Sequence, residues 1–191
     1  MKARESGMPE EAYWASFFDT DMAIDRLLAK PLPAGDWVEF GCGYGTFTLP
    51  VARRVQGRVT ALEIEPDLIA EVQHKATTAG ITNIRICRRD IIAQGAGLAS
   101  GTQAGALIYN LLHLEHPVPL LKEAHRVLRP GGCLSVMHWR SDIPTPRGPS
   151  LDIRPRPEQC RAWMAEAGFQ RIRSVDLTSC CPYHFGLIAE R

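Results

Sequence analysis

A glycine-rich stretch with an acid in front of it is the densest group of residues that could do chemistry in this chain of 191 residues. It runs Glu39-Phe-Gly41-Cys-Gly43-Tyr-Gly45. Glycine lets the backbone turn sharply and approach a ligand, because no Cβ stands in the way. The Gly-x-Gly-x-x-Gly spacing that seats a dinucleotide is not met, since the last position is Thr46. The stretch therefore predicts a ligand-binding loop, with a bare strand-to-helix turn as the alternative, and disfavours a nicotinamide-dependent dehydrogenase.

Two more acids follow the next two predicted strands. Glu63 closes Arg58-Val-Thr-Ala-Leu-Glu63, and Asp90 comes after Asn83-Ile-Arg-Ile-Cys-Arg. Ligands of open α/β sheets bind outside the carboxyl ends of the strands, where an acid accepts hydrogen bonds from ribose hydroxyls. We therefore expect Glu63 to contact a ribose at the same edge of the sheet as the glycine loop.

Histidines follow the fourth and fifth predicted strands. A neutral imidazole takes up a proton near pH 7, so His113 and His138 are candidate general bases, with a purely local hydrogen bond as the alternative for each. His113 and His116 lie beside Glu115, but a metal needs three or four convergent ligands. We therefore predict no metal site.

Arginines and aromatic residues are the remaining candidates for contacts with a substrate. Arg140 and Arg147 belong to an arginine-rich stretch, and guanidinium groups around a cleft favour a carboxylate or phosphate. A solvated surface loop is the alternative. Near the start of the chain, helical spacing favours a core-facing role for the aromatic residues 13–18, and Tyr13 is the candidate for an aromatic lid over a cation.

The elements that must position these residues alternate along the chain. From Trp37 onward, short β-rich runs alternate with helical patterns, which is the order of βαβ units in a parallel sheet. Residues 104–112 are apolar enough for a central strand buried on both faces. A fifth strand is expected over 133–138, and 94–101 is expected to be a loop with at most one helical turn. The first thirty residues predict one or two helices.

These motifs together resemble those of the class I S-adenosylmethionine-dependent methyltransferases. The resemblance rests on Glu39 to Gly45, Glu63, Asp90 and the helix and turn over 121–132, and it spans about residues 37–138. It is nearest to the small-molecule methyltransferases of the ubiquinone and menaquinone biosynthesis type. It implies an α/β fold with a Rossmann-like seven-stranded, mostly parallel sheet, helices on both faces and an antiparallel last strand.

The resemblance also implies an enzyme, a cofactor and a set of contacts. The cofactor is S-adenosyl-L-methionine, which is converted to S-adenosyl-L-homocysteine. The expected cofactor contacts are Tyr13, Glu39, Gly41, Cys42, Gly43, Gly45, Glu63, Ile64, Asp90, Ile91 and Asn110. The expected substrate contacts are Trp14, His113, His138, Arg140, Arg147 and Tyr183. Among the cofactor contacts, Glu39 and the glycine backbone would surround the methionine part, Asp90 the adenine amino group and Asn110 the opposite wall.

The expected function is methyl transfer to a small, anionic molecule by in-line displacement. A non-catalytic S-adenosylmethionine-binding module or sensor is the alternative, because such a displacement requires no single obligatory residue. We expect one methyltransferase domain over residues 35–191, with a helical lid or appendage over 1–34 and an active-site loop over 141–157. The sequence makes no prediction of an oligomeric state.

Composition excludes several other classes of protein. The chain has 22 basic and 21 acidic residues and no basic run, so we expect no nucleic-acid partner. No apolar stretch approaches the ~18 residues of a membrane span, and the first residues do not resemble a signal peptide. The six cysteines are scattered, and even the adjacent Cys180 and Cys181 lack further nearby thiols for a soft metal. We therefore expect reduced thiols and a cytoplasmic location.

Overall fold

The sheet at the centre of the molecule has seven strands within residues 8–28 and 30–191, the part of the chain that the computed structural model describes. The strands are β1 (Trp37–Phe40), β2 (Val59–Glu63), β3 (Ile84–Arg88), β4 (Gln103–Tyr109), β5 (Leu128–Trp139), β6 (Gln170–Val175) and β7 (His184–Glu190). Their order is β3-β2-β1-β4-β5-β7-β6, and β7 is antiparallel to both of its neighbours. The predicted seven-stranded, mostly parallel sheet is thereby confirmed.

Helices cover both faces of this sheet. They are α1 (Glu11–Ala15), α2 (Thr20–Leu27), α3 (Thr48–Arg54), α4 (Pro66–Thr78), α5 (Ile91–Gln94), α6 (Pro117–Val127) and α7 (Pro157–Glu166). Successive residues of a strand point to opposite faces. Along β4, Ile108 packs in the cluster that contains α6 and α7, whereas Leu107 packs in the cluster that contains α2 and α3. The apolar faces of α2, α3, α6 and α7 are thus buried against the sheet.

Strand β4 is central, as its apolar sequence predicts. All seven of its residues are buried, and it pairs in parallel with β1 on one side and β5 on the other. A strand buried on both faces is mostly apolar, which explains the apolar run that follows Gln103. Because β1, β2, β4 and β5 are parallel, their carboxyl ends lie at one edge of the sheet.

Two boundaries differ from the sequence-based prediction. Strand β5 begins at Leu128 instead of Cys133, because Leu128 already pairs with Gln103. The register then shifts before Gly105 pairs with Cys133, so the turn residues 129–132 form a bulge inside the strand. In addition, β4 ends at Tyr109 instead of residue 112, whereas residues 95–101 form a loop as predicted.

Two short helices, α1 and α2, lie near the start of the chain. Residues 1–7 and residue 29 of the predicted N-terminal appendage lie outside the described residues, and the boundary at residue 34 stays a prediction. Helix α2 packs Ala23, Ile24 and Leu27 against the sheet. Over residues 8–28 and 30–191, no helix is both long and apolar enough to cross a membrane.

Candidate active site

A cavity of about 370 Å³ opens at the carboxyl ends of β1, β2 and β4. The structure brings most of the residues singled out in the sequence to its wall. Those lining the cavity are Trp14, Glu39, Gly41, Cys42, Gly43, Glu63, Ile64, Asp90, Ile91, Asn110, His113 and Arg147. The glycine loop, the two acids that end strands and one candidate base therefore share a single site.

The glycine loop approaches the cavity with bare backbone. Gly41 and Gly43 have positive φ values of 71° and 53°. A Cβ on Gly41 would lie 3.1 Å from a Leu111 methyl carbon, and one on Gly43 would lie 3.2 Å from the Met8 methyl carbon. Gly45 differs, because it does not line the cavity and its Cβ would lie 2.6 Å from Leu49. Gly45 therefore serves the packing of the loop, and the structure does not place it at the predicted ligand contact.

Glu63 ties the glycine loop to the end of β2. Its buried carboxylate accepts hydrogen bonds from the backbone N–H groups of Gly43 at 2.8 Å, Ile64 at 2.8 Å and Glu65 at 3.2 Å. An ionised carboxylate offers about four acceptor positions, so about one remains for a ligand hydroxyl. Glu63 thus holds the loop in place as well as facing the cavity.

Asp90 and Asn110 form opposite parts of the wall. Asp90 caps α5 by accepting hydrogen bonds from the backbone N–H groups of Ile92 and Ala93. Asn110 directly follows β4 with φ at 57°, and neither polar atom of its buried amide has a partner among the described residues. Leaving a buried polar group unpaired costs about 1–3 kcal/mol. An unpaired amide beside a glycine loop that presents bare backbone, where a Cβ would crowd the neighbouring side chains, fits the adenosyl-type cofactor implied by the motifs.

Glu39 places a carboxyl group at the base of the cavity. It is buried at the end of β1, and its Oε2 accepts a hydrogen bond from the Thr48 hydroxyl. Burial raises the pKa of Glu39 to about 8. Thr48 was missed in the sequence. The available signal was a hydroxyl in the first turn of the helix that follows the glycine loop.

The two candidate bases occupy different environments. His113 lines the cavity, whereas His138 is fully buried within β5, and the two are joined by a 3.3 Å contact between His113 Nδ1 and His138 Nε2. Burial lowers the pKa of both imidazoles, that of His138 to about 3. The structure therefore does not place His138 on the cavity wall, where the sequence-based prediction put it.

Three further predicted contacts lie away from the cavity wall. Tyr13 is 45% exposed, and its hydroxyl points to the Pro146 carbonyl at 3.4 Å. Arg140 turns outward and forms a bidentate ion pair with Asp142 at 2.6 and 2.9 Å. Tyr183 packs against the Phe17 ring. These local partners, which periodicity along the chain does not reveal, explain why the three residues do not reach the cavity.

The outer wall comes from the N-terminal helix and the predicted loop over 141–157. The Trp14 indole N–H donates to the Thr46 hydroxyl at 3.0 Å, which fixes α1 over the glycine loop. On the other side, residues 147–149 line the cavity. Buried Arg154 donates to the carbonyls of Arg140, Arg147 and Pro149, so this guanidinium organises the loop.

The thiols and the candidate metal ligands form no centre of their own. Cys42 packs against Ala61 and Val72, and burial raises the pKa of its thiol well above the ordinary value. Cys180 and Cys181 are buried free thiols. Within residues 8–28 and 30–191, no three potential ligands among His, Cys, Asp and Glu come together.

Comparisons with known proteins agree with this geometry. Residues 38–132, about half of the chain, match the model of a family described as "Methyltransferase domain". A structure of an S-adenosylmethionine-dependent methyltransferase from Aquifex aeolicus superposes with a TM-score of 0.76, covering 91% of this chain and 89% of that chain at 20% identity. At this identity, the superposition shows the fold.

Two curated relatives carry names of RNA-modifying enzymes. Ribosomal RNA small subunit methyltransferase A from Xanthomonas campestris is 35% identical over 94 residues, which make up 46% of this chain and 35% of that protein. Ribosomal RNA small subunit methyltransferase H from Verminephrobacter eiseniae is 34% identical over 108 residues, 54% of this chain and 30% of that protein. The chain thus spans about a third of the length of these relatives.

The names of these relatives correct the expectation about nucleic acid that was drawn from composition. The inference that no nucleic acid is a partner is wrong, because related proteins are named for their action on ribosomal RNA. The physical reason is that net charge averages over the whole chain, whereas contact with a phosphate backbone depends on charges brought together by the fold.

Proposed function

From its membership of the class I S-adenosylmethionine-dependent methyltransferase family, we propose that this chain transfers a methyl group to a small, anionic molecule. The observation that carries the proposal is the cavity at the sheet edge, which is lined by bare glycine backbone, by Glu63 and by Asn110, whose buried amide is unpaired among the described residues. When bound, S-adenosylmethionine supplies an electrophilic methyl group on a sulfonium.

The residues of the chain bind and orient the reactants and exclude water. In-line displacement needs alignment of the nucleophile with the methyl group more than it needs a covalent catalyst. Glu63 and Asn110 are proposed to hold the adenosyl part. Trp14 and residues 147–149 close the outer side of the cavity. Burial raises the pKa of Glu39. A cationic ligand beside the carboxyl group would lower that pKa again and favour the ionised form.

Two features support a small acceptor with a negative group. A volume of about 370 Å³ lies near the lower end of the range of small-molecule sites, so little space is left for an acceptor beside a cofactor. Arg89 and Arg147 both lie on the wall, and guanidinium binds carboxylate and phosphate groups well. Methyl transfer to RNA is a second candidate, which the names of the curated relatives favour.

Transfer of labelled methyl groups tests the reaction and its acceptor. The protein is incubated with S-adenosylmethionine carrying a labelled methyl group and with either a metabolite extract or ribosomal subunits. We expect label in low-molecular-weight products. Label found only in RNA would favour methyl transfer to RNA. Binding of the cofactor without any transfer would favour the non-catalytic binding module or sensor.

Calorimetric titration with S-adenosylhomocysteine tests the donor site separately. Micromolar binding is expected. Glu63→Ala should weaken it more than tenfold, or about 1.4 kcal/mol, because the variant loses both a ligand contact and the anchor of the Gly43 amide. Unchanged affinity would remove Glu63 from the site.

A further inference from the structure

We propose that His113 and His138 form a two-histidine relay in which His113 Nε2 takes a proton from the methyl acceptor. The acceptor would then be a proton-bearing oxygen or nitrogen compound, and not a thiolate. The inference rests on the proposed function, because it identifies the base and the acceptor chemistry of the same cavity.

The geometry of the relay begins in the middle of the sheet. His138 Nδ1 lies 3.2 Å from the Trp139 carbonyl oxygen, and its Nε2 lies 3.3 Å from His113 Nδ1. His138 is 0% exposed, whereas His113 lines the cavity from the loop after β4. The two rings meet at 62° with centroids 5.5 Å apart. The chain of contacts therefore leads from a backbone carbonyl to the cavity wall.

These contacts determine where each proton sits. A carbonyl oxygen only accepts hydrogen bonds, so His138 Nδ1 must carry the proton in its contact with the Trp139 carbonyl. In a neutral imidazole one ring nitrogen is a donor and the other an acceptor, so His138 Nε2 accepts. His113 Nδ1 must then donate, which leaves an unprotonated Nε2 on the opposite side of the His113 ring. The free lone pair is the one a general base requires.

The surroundings keep both rings neutral. Burial lowers the pKa of His113 and His138, and the His113 ring and the Arg154 guanidinium lower that of His138 further. His138 in turn lowers the pKa of buried His184 from β7. Positive charge on Arg154 opposes a second positive charge on the relay. A neutral His113 does not repel a sulfonium in the same cavity, whereas a positively charged imidazolium would.

The charge in the cavity is conserved during the proposed step. The acceptor oxygen or nitrogen forms a bond to the methyl carbon while the bond from sulfur to that carbon breaks, and the sulfur keeps the electron pair as a neutral thioether. The acceptor's proton moves to His113 Nε2. One cationic sulfonium is thereby replaced by one imidazolium, and the proton is released to water after the products leave.

The tautomers are measurable without knowledge of the acceptor. Long-range proton–nitrogen NMR on ¹⁵N-labelled protein, free and saturated with S-adenosylhomocysteine, assigns the protonated nitrogen of each ring, with His113→Gln identifying the signals. We expect both histidines to be neutral and protonated on Nδ1. A proton on His113 Nε2 would overturn the relay, even if S-adenosylhomocysteine binds as proposed.

Variants then separate a catalytic role from a structural one. With the labelled-methyl assay on a metabolite extract, His113→Ala should lower transfer about a hundredfold or more, within the range of general-base effects, and leave S-adenosylhomocysteine affinity within about twofold. Exposed His116 lies on the same loop, and His116→Ala is the matched control that should behave like wild type.

His138 is a positioning residue, and rescue by a conservative variant tests that role. His138→Phe keeps a ring but offers no acceptor to His113, so transfer should fall at least tenfold. In His138→Gln the amide oxygen can accept from His113 Nδ1, and most of the transfer should return. Equal loss in both His138 variants, wild-type transfer by His113→Ala, or a purely S-methylated product would each refute the relay. Failure of S-adenosylhomocysteine to bind would refute the proposed function instead, while the tautomers of the free protein would still decide the relay.

Discussion

Glu39 is a carboxyl group inside a protein core, where burial raises its pKa to about 8. Between the pKa values of the unfolded and folded states, the folded protein therefore holds a proton that the unfolded chain releases. The free energy of unfolding consequently falls as pH rises toward 8. At one pKa unit per 1.36 kcal/mol, the loss between pH 5.5 and pH 8.5 amounts to about 3 kcal/mol.

Glu39→Gln removes this titration and keeps an acceptor for the Thr48 hydroxyl. We expect the variant to gain about 3 kcal/mol of stability relative to wild type as pH rises from 5.5 to 8.5. Urea denaturation of both proteins at the two pH values measures the difference. A difference that is the same at both pH values would show that Glu39 does not change its protonation on unfolding in this range.

Asn110 combines two features that a structural asparagine does not need. Its backbone has a positive φ, and its buried amide lacks partners among the described residues. Asn110→Gly suits the same φ and removes the unpaired amide, so stability should stay equal or rise. Affinity for S-adenosylhomocysteine should fall at least tenfold, or about 1.4 kcal/mol.

Asn83 provides the matched control for Asn110. Its amide nitrogen donates to the carbonyls of Ala52 at 2.8 Å and Gly57 at 3.0 Å. Asn83→Ala should therefore destabilise the protein by about 1–3 kcal/mol and leave the affinity for S-adenosylhomocysteine unchanged. Calorimetry and urea denaturation give both quantities. If Asn110→Gly instead lowers stability and leaves the affinity for S-adenosylhomocysteine unchanged, Asn110 has only a structural role.

Residue type and spacing pointed to the glycines and the acid proposed to bind the cofactor. They did not point to the two threonine hydroxyls that form hydrogen bonds around them. Glycines with positive φ and acids at strand ends have few other uses, so Gly41, Gly43 and Glu63 were identifiable in the sequence. Thr46 and Thr48 were not, because threonine is common at helix starts. Their contacts with Trp14 and Glu39 depend on how separate elements are oriented.

At the scale of elements, helix α1 is held over the glycine loop by the hydrogen bond from the Trp14 indole to Thr46 and by the ion pair of Glu11 with Lys75. Trp14→Phe keeps an aromatic ring and loses this bond, a net cost of about 0.5–1.5 kcal/mol. If α1 covers the bound cofactor, S-adenosylhomocysteine should dissociate about 2–12 times faster, with little change in association. Stopped-flow fluorescence measures both rates.

Tyr13 tests the specificity of that effect. It lies on the same helix, but its hydroxyl contact to Pro146 is long at 3.4 Å and the side chain is exposed. Tyr13→Phe should leave the dissociation rate unchanged. If Tyr13→Phe accelerates dissociation as much as Trp14→Phe does, Tyr13 acts as a lid over the cofactor, as the sequence predicts.

The order of elements followed from the sequence because each has a clear local signal. Proline at the first positions of α4 and α6 and the continuous apolar run of β4 are visible without a structure. The start of β5 was not visible, since Pro-Gly-Gly reads as a turn and only its pairing with β4 makes it a bulge within a strand. Local pattern predicts elements well, whereas pairing determines their ends.

At the scale of the whole molecule, the outer wall of the cavity, which is proposed to face the acceptor, was the least predictable part. Its wall combines α1, the loop after β4 and residues 147–149, which are far apart in the sequence. Arg140 and Arg147 are similar in type and only seven residues apart, yet one pairs with Asp142 and the other lines the cavity. Loop conformations of this kind have no periodic signature.

Because so many elements meet at the cavity, its ligand should stabilise the whole molecule. A ligand that binds only the folded state adds about 2.7 kcal/mol at a hundredfold excess over its Kd. For a chain of this size, that raises Tm by roughly 5–10 °C. S-adenosylhomocysteine should produce this shift in a thermal scan, whereas NADH at the same concentration should produce none, because Thr46 replaces the glycine that a dinucleotide pyrophosphate requires. Equal shifts with both compounds would mean that the glycine loop binds adenosine-containing ligands without selecting the sulfonium cofactor.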